Sequence, residues 1–166
     1  MMAQTYHHLY DMQCVGLRFF TVYGPRCRRD MAPFKFIDQI YRGQPIQQFG
    51  DGSSQRDYTF VSDIVDGIVR VIDAQHLTGH EIFNLGHGEP VLLSEFIQVI
   101  EEELGRTATI QVLPMQPGDV VRTSAGIQKA QELLGFEPAV SVRDGIRETV
   151  KWYLEDVAGV DAPSKS

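Results

Sequence analysis

Segments typical of strands alternate with segments typical of helices along most of this chain. Residues 15–20, 46–49 and 81–86 are short and rich in apolar side chains, as buried strands are. Residues 33–43 and 61–72 lie between them and carry apolar residues at helical spacing. Such alternation favours an α/β fold, in which helices pack on a sheet of strands that are distant in sequence.

The helix predicted over residues 61–72 has the clearest pattern. Its apolar residues follow the spacing i, i+3, i+4, i+7, i+8 and i+11, which predicts one buried stripe. The stripe consists of Val61, Ile64, Val65, Ile68, Val69 and Ile72. An earlier helix is predicted from about Pro33 to Gly43, because proline is favoured in a first helical turn and glycine after a last one. Residues 21–31 are predicted to form a loop and residues 56–61 a short strand.

Composition excludes several classes of function. The chain has 166 residues, 43% of them hydrophobic, and a formal charge of −7, which argues against a general nucleic-acid or anionic-membrane binder. No apolar run approaches the ~18 residues of a membrane span. The two cysteines, Cys14 and Cys27, offer neither a disulfide framework nor a zinc site, so no metal is expected. We therefore expect a reducing, cytoplasmic setting.

A basic cluster stands out in this acidic chain. Arg26, Arg28 and Arg29 lie within four positions, Lys35 follows, and Asp30 offsets only one of the arginines. The cluster is either a solvated basic turn or an anion site. Guanidinium groups bind carboxylates and phosphates with two parallel hydrogen bonds, and the N-terminus of the following helix also favours anions.

Four further blocks occur in a fixed order. They are Arg18-Phe19-Phe20-Thr21-Val22-Tyr23-Gly24-Pro25, Gly50-Asp51-Gly52-Ser53-Ser54-Gln55-Arg56-Asp57-Tyr58, Phe83-Asn84-Leu85-Gly86 and Gln116-Pro117-Gly118-Asp119. Together they resemble the extended short-chain dehydrogenase/reductases, the NAD-dependent nucleotide-sugar epimerases and dehydratases. Residues 21–31 make the chain most similar to the UDP-glucuronate 4-epimerases. The resemblance extends to about residue 157, although Cys27 and Arg29 stand where that family usually has Gly and Pro.

The resemblance implies an α/β architecture: the C-terminal part of a Rossmann-type sheet and a small nucleotide-sugar-binding domain. Residues 1–31 would be a remnant of the NAD-binding domain. Residues 32–157 would be mainly the substrate domain, with some segments returning to the Rossmann part, and residues 158–166 a flexible tail. The resemblance also implies a UDP-sugar ligand and a homodimer for the full-length parent, with no nucleic-acid or membrane partner.

The resemblance also assigns roles to individual residues. The pair near the nicotinamide of NAD would be Phe19 and Val22. The UDP-sugar site would be Thr21, Arg28, Ala32, Phe34, Lys35, Arg56, Tyr58, Gln116 and Asp119. Within that site, Arg28 would bind the uronate carboxylate and Arg56 a diphosphate oxygen, and Gln116 and Asp119 would bind the uridine ribose or base.

Two motifs that the family uses for cofactor binding and catalysis are absent from this sequence. The family's glycine-rich dinucleotide loop and its Tyr-x-x-x-Lys pair precede the segment found here, and this chain contains neither. We therefore expect part of an NAD-dependent UDP-sugar 4-epimerase that is inactive by itself and has no catalytic residue of its own. The alternatives are a non-catalytic nucleotide-sugar-binding fragment or truncated product, a nucleotide-sugar dehydratase or decarboxylase, and an unrelated α/β domain.

Overall fold

The computed structural model describes residues 2–116 and 118–159, and its helices and strands alternate as the sequence predicts. The helices are α1 (Met2–Tyr10), α2 (Ala32–Tyr41), α3 (Val61–Asp73), α4 (Leu93–Leu104), α5 (Gln128–Leu134) and α6 (Val142–Trp152), which continues into a π-helical segment, Tyr153–Ala158. The strands are β1 (Cys14–Phe19), β2 (Thr21–Tyr23), β3 (Ile46–Phe49), β4 (Gln55–Arg56), β5 (Tyr58–Phe60), β6 (His80–Leu85), β7 (Val91–Leu92) and β8 (Ile110–Leu113). The predicted α/β class is confirmed.

The strands pair in a way that places β2 beside β5. β1 pairs with β6, β2 with β5 and β3 with β8, all in parallel, whereas β4 and β7 are antiparallel. A single residue, Phe20, separates β1 from β2, and its N–H still donates to the Leu85 carbonyl at 3.2 Å. The next N–H, that of Thr21, donates to the Asp57 carbonyl at 3.1 Å. The chain therefore changes strand partners between Phe20 and Thr21, and the prediction of a loop from residue 21 is wrong for Thr21–Tyr23.

Two hydrophobic cores hold these elements together. The first packs α2, α4 and α6 around aromatic residues of β2 and β5, among them Tyr23 and Tyr58. The second packs β6, α3 and α5 against β1, with Phe83 and Leu85 fully buried. The domain boundary between residues 31 and 32 stays a prediction. The predicted tail begins at Ala158, which is buried in the first core, and its residues 160–166 lie outside the described residues.

The buried stripe predicted for α3 is only partly correct. Ile64 is buried, but Val65, Val69 and Ile72 are 51%, 48% and 74% exposed. The helix packs through the side centred on Ile64 and Gly67, so the apolar stripe is wider than the packed face. Part of α3 therefore presents apolar side chains on the surface of this chain.

Within residues 2–116 and 118–159, none of the helices is long and apolar enough to cross a bilayer. The same residues contain no group of three or more His, Cys, Asp or Glu side chains placed to hold a metal ion. Cys14 and Cys27 are half-buried and unpaired.

Candidate functional site

A cavity of about 560 Å³ opens between the start of α2 and strands β3 to β5. Seven of the nine predicted UDP-sugar residues line it. They are Thr21, Ala32, Phe34, Lys35, Arg56, Tyr58 and Asp119. The walls also include apolar residues, among them Phe49, Leu93 and Met115. The cavity thus combines an apolar lining with a few polar groups, as binding sites for organic ligands do.

Strand pairing brings three of these residues together. In the parallel register of β2 and β5, Thr21 lies opposite Tyr58, and Arg56 lies two residues before Tyr58. The Tyr58 ring stacks on Phe96 with centroids 3.9 Å apart and planes 17° apart, which fixes its orientation. Burial raises the pKa of Tyr58 to about 12, so its phenol is neutral at physiological pH.

Asp57, the residue after Arg56, is the centre of a buried hydrogen-bond network. Its carboxylate is fully buried and accepts four hydrogen bonds. One oxygen accepts from the His87 N–H at 2.8 Å and the Thr59 hydroxyl at 3.1 Å; the other accepts from the Gly88 N–H at 3.0 Å and the Ala125 N–H at 2.8 Å. These bonds tie the loop after β6 and the segment before α5 to the residue between β4 and β5.

The sequence did not predict that Asp57 accepts these hydrogen bonds, because an adjacent Arg-Asp pair usually forms a surface salt bridge. The structure places the two side chains apart: Asp57 takes backbone donors, whereas Arg56 donates to the Gln55 carbonyl at 3.0 Å. Gly86 lies against the same centre. A Cβ added at Gly86 would come within 2.4 Å of the Ala125 Cβ. Glycine at this position therefore allows the backbone to pack closely against Ala125.

The start of α2 supplies another wall of the cavity. The helix begins at Ala32 after Met31, with Pro33 in its first turn and no side-chain cap. Pro33 and Phe34 are buried, whereas Lys35 is exposed and reaches the cavity rim. The unpaired N–H groups of a first helical turn favour an anion at this end. The prediction of a helix from about Pro33 is confirmed.

The predicted uronate-binding residue, Arg28, does not line this cavity. Its guanidinium forms two hydrogen bonds with Asp30, at 3.0 and 2.5 Å, and the two side chains are 75% and 63% exposed. The hydrogen bond from Arg28 lowers the pKa of Asp30. The neighbouring Arg29, which the sequence did not single out from the cluster, is the arginine of residues 26–29 that lines the cavity.

Asp38 is a cavity residue that the sequence pattern did not indicate. Its Oδ1 accepts hydrogen bonds from the Tyr153 hydroxyl at 2.6 Å and from Arg42 Nε at 2.8 Å. Burial alone would raise the pKa of Asp38, but these hydrogen bonds outweigh burial and lower it. The negative charge of Asp38 is therefore compensated within the fold.

The remaining predicted residues lie elsewhere. Gln116 is exposed on the loop after β8, and its carbonyl accepts the Asp119 N–H at 3.1 Å. Phe19 is 49% exposed at the carboxyl end of β1, and Val22 packs against the second core. The carboxyl ends of parallel strands are where α/β sheets bind ligands. The assigned roles of these residues stay predictions.

Comparison with known proteins gives a consistent set of relatives. A model of the NAD-dependent epimerase/dehydratase family matches residues 1–86. A probable UDP-glucuronate 4-epimerase of Rhizobium meliloti is 42% identical over 170 residues, covering 92% of this chain and 50% of the relative. UDP-glucuronate 4-epimerase of Thermodesulfobacterium geofontis is 40% identical over 158 residues, covering 95% of this chain and 48% of the relative.

A solved structure agrees with these relatives. UDP-glucuronic acid 4-epimerase from Bacillus cereus, in complex with UDP-glucuronic acid and NAD, superposes with a TM-score of 0.86 at 35% identity, over 91% of this chain and 48% of that one. The chain thus spans about half the length of the relatives it matches. The likeness to Rossmann-type epimerases confirms the predicted fold class. The chain belongs to the NAD-dependent epimerase/dehydratase family.

Proposed function

We propose that this chain forms the nucleotide-sugar-binding part of an NAD-dependent UDP-sugar 4-epimerase, with UDP-glucuronate as the substrate. The observation that carries the proposal is the cavity of about 560 Å³, lined by seven residues to which the family resemblance assigns contacts with a UDP-sugar. The names of the relatives support the choice of UDP-glucuronate.

The charges in the cavity suit a diphosphate. Among the described residues, Lys35 and Arg56 form no salt bridge, so their charges are available to a ligand. Two of the cavity carboxylates, those of Asp30 and Asp38, are already bound by arginines. Asp119 also lines the cavity, where its carboxylate would accept hydrogen bonds from sugar or ribose hydroxyls.

The residues near β1 fit a nicotinamide. Phe19 presents an exposed aromatic ring at the carboxyl end of a parallel strand, with Thr21 two residues later at the cavity. NAD, when bound, would accept hydride from the sugar C4 and return it to the opposite face. This chain would hold the sugar through Thr21 and its diphosphate through Arg56 while that exchange takes place.

The complete protein would be a homodimer, as the family resemblance implies. Its setting would be cytoplasmic, which the unpaired Cys14 and Cys27 support.

Calorimetric titration of the 166-residue chain tests the proposal. We expect UDP and UDP-glucuronate to bind, because Lys35 and Arg56 line the cavity and offer positive charge to the diphosphate. UDP-glucose serves as the ligand without a carboxylate and GDP as the ligand with another base. Binding of GDP as tightly as UDP, or of neither nucleotide, contradicts the proposed function. Equal binding of UDP-glucose and UDP-glucuronate contradicts only the choice of UDP-glucuronate as the substrate and leaves the nucleotide-sugar site unaffected.

A further inference from the structure

The arginines at positions 26, 28 and 29 occupy three different environments. Arg26 lines a separate groove, whose walls also include Trp152. Arg28 is held by Asp30, and Arg29 lines the cavity. We infer that Arg29 is a third cationic contact for the diphosphate of the nucleotide, beside Lys35 and Arg56. This inference rests on the proposed function and adds a residue that the resemblance did not include.

The position of Arg29 is supported by an aromatic ring. Its guanidinium carbon lies 5.7 Å from the centroid of Phe34, within the range of a cation–π contact. Phe34 is buried and lines the same cavity, so the ring is a fixed platform. Arg29 forms no hydrogen bond or salt bridge with another residue of the described ranges 2–116 and 118–159. Its N–H donors are therefore free to bind a ligand.

The neighbouring carboxylates are hydrogen-bonded to residues other than Arg29. Asp30 is bound by Arg28, and Asp38 accepts from Tyr153 and Arg42. The charge of Arg29 does act on Asp38 through space, but it contributes less to the lowered pKa of Asp38 than these hydrogen bonds do.

Among the described residues, the cavity lining therefore includes three cations that form no salt bridge, those of Arg29, Lys35 and Arg56, and one carboxylate not bound by an arginine, that of Asp119. A diphosphate carries at least two negative charges and offers several acceptor oxygens, so it uses more of these cations than a single carboxylate could. The planar fork of an arginine suits pairs of phosphate oxygens.

The test compares Arg29→Gln with Arg26→Gln in the 166-residue chain. Both variants remove one positive charge from the same loop, but only Arg29 lines the cavity. We expect Arg29→Gln to weaken UDP and UDP-glucuronate binding by the same factor, about 10-fold to 100-fold, as charge-assisted hydrogen bonds do. UMP should lose less, because one phosphate is missing. Arg26→Gln should stay within about twofold of the unaltered chain.

Arg29→Lys keeps the charge but not the planar fork, so its UDP affinity should lie between those of Arg29→Gln and the unaltered chain. Circular dichroism checks that each variant is folded. UDP affinity unchanged by Arg29→Gln contradicts the inference and leaves the proposed function intact. A loss confined to UDP-glucuronate means that Arg29 binds the carboxylate and also overturns the inference. Failure of the unaltered chain to bind UDP contradicts both.

Discussion

Replacing Asp57 with asparagine should destabilise the fold more than any ordinary surface substitution. The fully buried carboxylate accepts four hydrogen bonds, and three of them come from backbone N–H groups. Asparagine has the same shape but presents an NH₂ group in place of one oxygen. At least one backbone N–H must then face another donor.

The cost depends on which oxygen is replaced. The less costly orientation puts the NH₂ at the oxygen near Thr59, because the Thr59 hydroxyl can rotate to accept. The His87 N–H then loses its 2.8 Å acceptor and keeps only the Thr59 oxygen at 3.0 Å. The two remaining bonds lose their ionic character at about 1 kcal/mol each, and the displaced bond adds about 1–3 kcal/mol. The sum is about 3–5 kcal/mol, a large part of the roughly 5–15 kcal/mol that stabilises a typical domain.

Urea unfolding followed by far-ultraviolet circular dichroism measures this loss. With a slope of about 2 kcal/mol per molar, the midpoint should fall by roughly 1.5–2.5 M at unchanged slope. The matched control is Asp156→Asn, the same substitution at an exposed carboxylate that has no hydrogen-bond partner among residues 2–116 and 118–159. It should change stability by less than about 0.5 kcal/mol. If Asp57→Asn lowered stability by less than about 1 kcal/mol, the assignment of Asp57 as the centre of this network would be wrong.

Two further predictions concern Tyr58 and α3. The folded-state pKa of Tyr58, about 12 against an ordinary value of 10, means that its contribution to stability is complete below pH 10 and lost as the pH rises toward 12. Between pH 10 and pH 12 the unfolding free energy of Tyr58→Phe should therefore fall less than that of the unaltered chain, by up to about 2–3 kcal/mol. The control is Tyr10→Phe, at an exposed tyrosine. If both variants lost as much stability over this pH range as the unaltered chain, the burial argument would be contradicted. The exposed Val69 and Ile72 should cause self-association of the 166-residue chain, which a double change to lysine should reduce; a monomer by light scattering before any substitution contradicts this.

Local chemistry explains what could be predicted from the sequence. The glycines at 105 and 135 end α4 and α5 in the left-handed conformation, both with φ of 62°, which glycine adopts more readily than other residues. Ser141 caps α6 by accepting the Asp144 N–H at 3.1 Å. These features depend on residues within one helical turn of each other, so the sequence contains the necessary information.

Contacts between distant segments explain what could not be predicted. The change of strand partner at Thr21 depends on Asp57, which lies 36 positions later. The exposure of Val65, Val69 and Ile72 depends on which side of α3 meets β6 and α5. The basic cluster is a similar case. Its spacing in the sequence allowed two interpretations, a solvated turn or an anion site. Only the fold shows that Arg29 lines the cavity whereas Arg28 pairs with Asp30.

The central claim is that the cavity beside α2 and β5 binds the diphosphate of a UDP-sugar, and neutralising Arg56 tests it most directly. Titration of UDP into the Arg56→Gln chain should show affinity reduced about 10-fold or more, while Arg106→Gln, an exposed arginine outside the cavity, leaves it unchanged. Equal UDP affinity in the Arg56→Gln, Arg106→Gln and unaltered chains would contradict the account.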